Sequence, residues 1–167
     1  MPEEMPGDSE ELKQPPSFFP SESSREETKL SFGEPIKCLI EGAFTVQKDD
    51  GAPSYCVMLS DGERKLPIWI GPVEAVSIDD AMRSNRPDRP NTHDLLRSVI
   101  DKLGAYVEKI VIDDLWNSTY YAKVFIEGED DEPIEIDSRP SDAIAIAIRF
   151  NAPIFVSEGI LDAAEDF

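Results

Sequence analysis

The stretch Asp137-Ser138-Arg139-Pro140-Ser141-Asp142-Ala143-Ile144-Ala145-Ile146-Ala147-Ile148 decides how the chain is read. Its isoleucines alternate as in a strand, but alanine is poor in strands and among the best helix formers. Pro140 and Ser141 stand where a helix opens: proline brings a preset φ and lacks an orphan N–H, and serine brings a capping hydroxyl. The run is therefore expected to be a buried helix. The segment Ile134–Asp137 before it reads as a short strand that feeds it. Downstream, Pro153 to Val156 reads as a last strand and Glu158 to Ala164 as a short terminal helix.

Upstream, Ile36 to Val46 predicts a strand, broken by Gly51-Ala52-Pro53. Tyr55, Val57 and Leu59 then alternate with Cys56 and Met58 in a second strand. Asp61-Gly62 turns the chain into a third, carried by Leu66, Ile68 and Ile70. Gly71-Pro72 opens a helix to about Ser84, with Glu74 favoured by the helix dipole. After a loop rich in proline and arginine, Leu95, Leu96, Val99, Ile100 and Leu103 form an apolar stripe on a second helix that Gly104 ends. Val107 to Leu115 and Tyr120 to Ile126 make a hairpin through Trp116-Asn117-Ser118. The pattern predicts an α+β fold: one domain over residues 35–167, a mixed or antiparallel β-sheet, and three to four helices. Residues 1–34, rich in proline, serine and glutamate, predict a disordered acidic tail.

Thirty-five acidic residues stand against sixteen basic ones, a net charge of −19. The first 34 residues hold nine acids and three bases, so −13 belongs to the remainder. Such a surface opposes tight nonspecific binding of a polyanion, which needs a basic face. No apolar run approaches the ~20 residues that span a bilayer. The beginning of the chain has neither the basic nor the apolar part of a secretory signal. Cys38 and Cys56 read as reduced thiols within strands, and a single histidine makes a structural zinc site unexpected. A cytoplasmic location follows from these readings as an expectation. Trp69, Tyr120 and Tyr121 lie in strands without basic neighbours and read as sheet packing.

Two helix openings carry the chemistry. Arg89-Pro90-Asn91-Thr92-His93-Asp94 begins the second helix, and Asp137-Ser138-Arg139-Pro140-Ser141-Asp142 the third. Free N–H groups and the positive dipole end suit an anion at each, and arginine adds a planar fork that matches phosphate. If the openings converge, Asp94, Asp137 and Asp142 offer oxygen ligands to Mg2+ or Mn2+. His93 would then be the acid or base, Arg89 and Arg139 the phosphate-binding groups, and Glu74 a further candidate. Each of these residues also has a plain structural reading as a cap, a first-turn acid or a surface ion pair with Arg97.

Leu66-Pro67-Ile68-Trp69-Ile70-Gly71, Glu74-Ala75, the two openings extended to Leu96 and Ala143, and Pro153-Ile154-Phe155-Val156 occur in this order. The series closely resembles the bifunctional nuclease family over about Ile36 to Ala164. The resemblance implies an α+β fold that self-associates and a nuclease acting on DNA and RNA. Asp79-Asp80, Asn91 and Ser138 depart from the family pattern, and the acidic pair opposes a nucleic-acid face on that helix. Weak binding of DNA or RNA is thus one expectation. A non-catalytic oligomeric module that binds an anion or a protein is the other. Neither reading involves a membrane.

Overall fold

A computed structural model of the chain describes residues 32–47, 51–85, 87–128 and 133–164. The expected acidic tail lies outside these residues as far as Ser31. Its last three, Phe32 to Glu34, lie against the C-terminal helix, where Gly159 N–H donates to the Phe32 carbonyl at 2.6 Å and Glu158 N–H to that of Glu34 at 2.9 Å.

Seven strands form one sheet: β1 Pro35–Gln47, β2 Pro53–Ser60, β3 Lys65–Ile70, β4 Tyr106–Trp116, β5 Thr119–Glu127, β6 Ile134–Ser138 and β7 Ile154–Ser157. Their order is β3-β2-β1-β7-β4-β5-β6. Two antiparallel meanders, β1–β2–β3 and β4–β5–β6, are joined by the short C-terminal β7, antiparallel to β1 and parallel to β4. The helices are α1 Pro72–Met82, α2 Thr92–Lys102, α3 Pro140–Phe150 and α4 Glu158–Ala164. The expected α+β fold with a mixed sheet is the one observed.

The turns follow from local chemistry. Asp61 Oδ1 accepts from Glu63 N–H at 2.9 Å and Arg64 N–H at 2.7 Å, an Asx turn that hands β2 to β3. Asn117 and Ser118, at φ 49° and 59°, make a two-residue turn with both central residues left-handed, the geometry that matches strand twist.

The run that read two ways is α3. Ala143, Ala145 and Ala147 are buried along with Ile144 and Ile146, so the helix is apolar on nearly every side. It packs on β3, β4 and β5 and against α1 and α2. Its small alanines allow close approach while its isoleucines fill the space between layers. The apolar stripe of α2 behaves differently from its reading. Only Ile100 is buried, and Leu95, Leu96, Val99 and Leu103 are exposed. The side of α2 turned inward is polar at its start, because Asn91, His93 and Asp94 engage α1 and α3 there.

Glycine populates the left-handed region freely, whereas serine is strained there by about 1 kcal/mol. Ser118→Gly is therefore expected to stabilise the domain by about 0.5–1 kcal/mol and to raise Tm by ~2–4 °C, read by thermal unfolding. A lowered Tm would mean that the Ser118 side chain contributes more than the turn geometry costs.

Candidate anion site at three helix starts

α1, α2 and α3 begin on the same side of the molecule. Their first turns enclose an open cleft of about 550 Å³ lined by Pro72, Val73, Glu74, Val76, Ser77, Asp80, Pro87, Arg89, Asn91, Thr92, His93, Arg139 and Asp142. The two Arg-Pro openings therefore converge. Neither α1 nor α3 has a side-chain cap, and both carry proline in the first turn. The positive dipole ends of these helices consequently meet first-turn acids, Glu74 on α1 and Asp142 on α3, in place of a side-chain cap. The α2 start is closed by a capping box, in which Asn91 Oδ1 accepts from His93 and Asp94 N–H and Asp94 Oδ2 accepts from Asn91 N–H.

Behind the cleft lies Arg149, its side chain 5% exposed, at the end of α3. Its Nε donates to Asp94 Oδ1 at 2.7 Å and its Nη1 to the Ala145 carbonyl at 2.9 Å. Nη2 reaches Ser77 Oγ at 3.1 Å and Asn91 Oδ1 at 3.3 Å. One guanidinium thus ties α1 and the start of α2 to α3.

Guanidinium cannot accept, so Ser77 Oγ accepts from Arg149 and its own hydrogen is available to His93 Nδ1, 2.8 Å away. A neutral His93 then carries its proton on Nε2 and donates to Asp142 Oδ1 at 3.1 Å. Serine, histidine and aspartate form a chain, but serine meets Nδ1 and aspartate Nε2, the reverse of a hydrolase triad, and Ser77 is buried with its oxygen engaged twice. It acts as a support for the ring rather than as a nucleophile.

Arg139 caps this chain on the open side. Its Nε and Nη2 meet Asp142 Oδ2 at 2.7 Å and Oδ1 at 3.0 Å, and Nη2 also meets Glu74 Oε1 at 3.0 Å. Burial works to raise the Asp142 pKa, but hydrogen bonds from Arg139 and His93 outweigh it and hold the carboxyl below its usual value. Glu74 folds back over Gly71, where a Cβ would stand 2.5 Å from Oε2, so glycine makes room for the carboxylate. Arg89, on the loop before α2, also lines the cleft and has no carboxylate partner among the described residues.

Of the residues singled out from sequence, Glu74, Arg89, His93, Arg139 and Asp142 meet in this cleft. Asp94 turns away to Arg149 and does not pair with Arg97, which bonds Asp101 instead. Asp137 lies outside the cleft. It is opposite Lys123 in the β5–β6 register, on the polar sheet face that also carries Asp113 and Glu135, while Ala122 and Val124 point to the core. Alternation along β6 thus separates Asp137 from Asp142. Asp94, Asp137 and Asp142 are not brought to one point. No three His, Cys, Asp or Glu side chains among the described residues are grouped so as to hold a metal ion. The residues as placed do not fit Mg2+ or Mn2+, because Asp94 and Asp142 are already bonded to arginines.

Ser77 and Arg149 escaped the sequence reading. For Arg149 a signal existed: a charged residue on an all-apolar helix must find a buried acidic partner. Ser77 carried none. Trp69 was expected to pack in the sheet, yet it is 57% exposed. Tyr120 does pack against the core. Cys38 and Cys56 are free and buried, as expected. No helix among the described residues is long and apolar enough to cross a membrane.

Fold and cleft together define an α+β protein with an open cleft that holds two arginines, Arg89 and Arg139, and three acids, Glu74, Asp80 and Asp142. The chain belongs to the bifunctional nuclease domain family, whose pattern matches residues 57–166. It is 39% identical over 119 residues to an uncharacterized protein of Mycobacterium tuberculosis, covering 71% of this chain and 70% of that protein. It is also 28% identical over 137 residues to bifunctional nuclease 1 of Oryza sativa subsp. indica, covering 79% of this chain and 41% of the rice protein. Bifunctional nuclease 1 of Arabidopsis thaliana is 29% identical over 135 residues, 78% of this chain and 42% of that protein. The matched region spans less than half the length of these plant relatives. The resemblance and the fold read from the sequence are thus both correct.

For Asp94, burial works to raise the pKa, while the hydrogen bonds from Arg149 and the Asn91 N–H and the Arg149 charge outweigh it and leave it lowered. A depressed carboxyl contributes its full stability above the unfolded value of about 4. It loses that contribution as pH falls through the folded value. Asp94→Asn should cost about 2–3 kcal/mol in urea unfolding at neutral pH by stranding the buried Arg149. The gap from wild type should narrow below about pH 4. A gap that stays constant into acid would exclude the Arg149 pairing as its source.

Proposed function

We infer that the chain hydrolyses phosphodiester bonds of DNA or RNA, holding the polymer weakly against its own negative charge. The supporting observation is the convergence of Arg89, Arg139, His93 and Asp142 at three helix starts. Arg139 is 66% exposed and bridges Glu74 and Asp142. A phosphate entering the cleft competes with both carboxylates for this guanidinium and offers it a matching bidentate partner. As Arg139 turns to the phosphate, Asp142 is unmasked but keeps its bond from His93.

Asp142 then takes a proton from the attacking water, whose oxygen forms the new P–O bond. As the bridging P–O bond breaks, the leaving oxygen takes that proton from Asp142, and the bond from His93 Nε2–H keeps the carboxylate in place throughout. Arg139 and Arg89 hold the charge that collects on the phosphoryl oxygens. No step is drawn through the Mg2+ or Mn2+ expected from the sequence, since the carboxylates do not form its cage.

Arg139→Ala, His93→Ala and Asp142→Asn should each slow cleavage of single-stranded DNA or RNA by about 10²–10³-fold at low salt. Asp137→Asn should keep the wild-type rate, and cleavage should persist in chelator. Equal rates for the wild type and all these variants, purified identically, would assign the cleavage to a contaminant. In that event the cleft is better read as a non-catalytic anion- or protein-binding module, the reading that the net charge of −19 and the arginine-paired carboxylates favour. Loss of cleavage in chelator would sink the metal-free route drawn above.

Self-association is inferred for the exposed face of α2, with a second copy as the occupant. Leu95, Leu96, Val99 and Leu103 together expose an apolar area on the order of a few hundred Å², the size at which such patches mark interfaces. Two like-charged copies meet at least cost through an uncharged strip. Leu95→Glu with Leu103→Glu should give a monomer in sedimentation velocity with Tm nearly unchanged. An unaltered oligomer would place the contact elsewhere.

A further inference from the structure

A second open cavity, about 460 Å³, adjoins the first. The two share Glu74 and Arg139 as a common wall. Beyond that wall the character changes. Trp69 stands on the edge strand β3 with 57% of its surface exposed. Its partner across the β2–β3 register, Cys56, is buried, and so are Leu66 and Ile68 on the other face of the strand, so the indole stands on a packed strand. Across the cavity the left-handed Asn117-Ser118 turn brings up Ser118 and Thr119. Aromatic area, an arginine and two hydroxyls therefore surround one opening, beside the cleft read above as the phosphate site.

We propose that this cavity is a nucleobase subsite, in which a base stacks on Trp69 while the phosphate of the same nucleotide is held by Arg139 in the neighbouring cleft. The assignment rests on the phosphodiesterase reading for the phosphate and adds a separate claim about the base. An indole left bare on a packed strand costs hydration and returns nothing to the fold, but every nucleobase presents a π-face to it. Ser118 and Thr119 hydroxyls can donate to or accept from a base edge. Glu74, once Arg139 has moved to the phosphate, can accept from an exocyclic amino group, as carboxylates do from the amino group of cytosine. Stacking is tolerant of base identity, which suits the sequence-indifferent hydrolysis of DNA or RNA proposed above. It also supplies affinity that does not depend on charge, and a chain of net −19 gains little from polyanion attraction.

The chain has two tryptophans, so in Trp116→Phe the fluorescence reports Trp69 alone. That protein is titrated at low salt with adenosine 5′-monophosphate, ribose 5-phosphate and inorganic phosphate, and the affinities are checked by calorimetry. Adenosine 5′-monophosphate should quench Trp69 saturably and bind about 5- to 100-fold tighter than ribose 5-phosphate, the range of one stacked base. Trp69→Ala should bring the nucleotide to the ribose 5-phosphate affinity and leave inorganic phosphate binding unaltered, and Trp69→Phe should restore most of the difference. Equal affinities for nucleotide and sugar phosphate would overturn the base subsite while the phosphate cleft stands. Failure of all three compounds to bind would remove both. A change in sedimentation on Trp69→Ala, with no nucleotide quenching, would assign the indole to a contact between copies and overturn the proposal.

Discussion

The guanidinium of Arg149 is buried where three helices meet, and the site is arranged around it. A charge there is tolerable only because Asp94, Ser77, Asn91 and the Ala145 carbonyl together meet its donors. Each of those bonds also does something for the cleft. The bond to Asp94 shares its carboxylate with the capping box and so fixes where α2 begins. The bond to Ser77 orients a hydroxyl toward His93. The helix starts face the cleft together because α1, α2 and α3 are tied to one cation behind it.

On the open side the logic reverses. Arg139 is exposed and bridges two carboxylates, Asp142, which His93 also holds, and Glu74, which lies over Gly71. A buried cation with fixed partners is structural, whereas an exposed cation over fixed carboxylates can exchange them for an incoming anion. That difference in solvation separates the two arginines of α3 more clearly than their charge does. Within the cleft Arg89 and Arg139 stand against Glu74, Asp80 and Asp142, while the charge of the rest of the chain is screened over about 8 Å of physiological saline.

Much of the fold was legible because its signals are local. Asp61-Gly62 and Asn117-Ser118 are turn chemistry, Pro72 and Pro140 mark helix starts, and the alternation of Tyr55, Val57 and Leu59 is a strand period. The alanines of α3 outweighed its alternating isoleucines because helix propensity and a proline start agreed. The α2 stripe misled for the opposite reason. A periodic apolar face is a statement about which residues can be covered, and only packing decides whether something in the same chain covers them.

The site divides along the same line. Residue types and spacing by themselves determined that two helix openings carry arginine, acid and histidine, and that the domain is a bifunctional nuclease relative. Which acids meet which bases was settled only in three dimensions. Strand alternation put Asp137 on the far face of the sheet, a capping box turned Asp94 inward to Arg149, and the insertion of β7 between β1 and β4 joined the meanders that carry Trp69 and Ser118. Those outcomes depend on contacts between residues tens of positions apart, and no local propensity encodes such contacts.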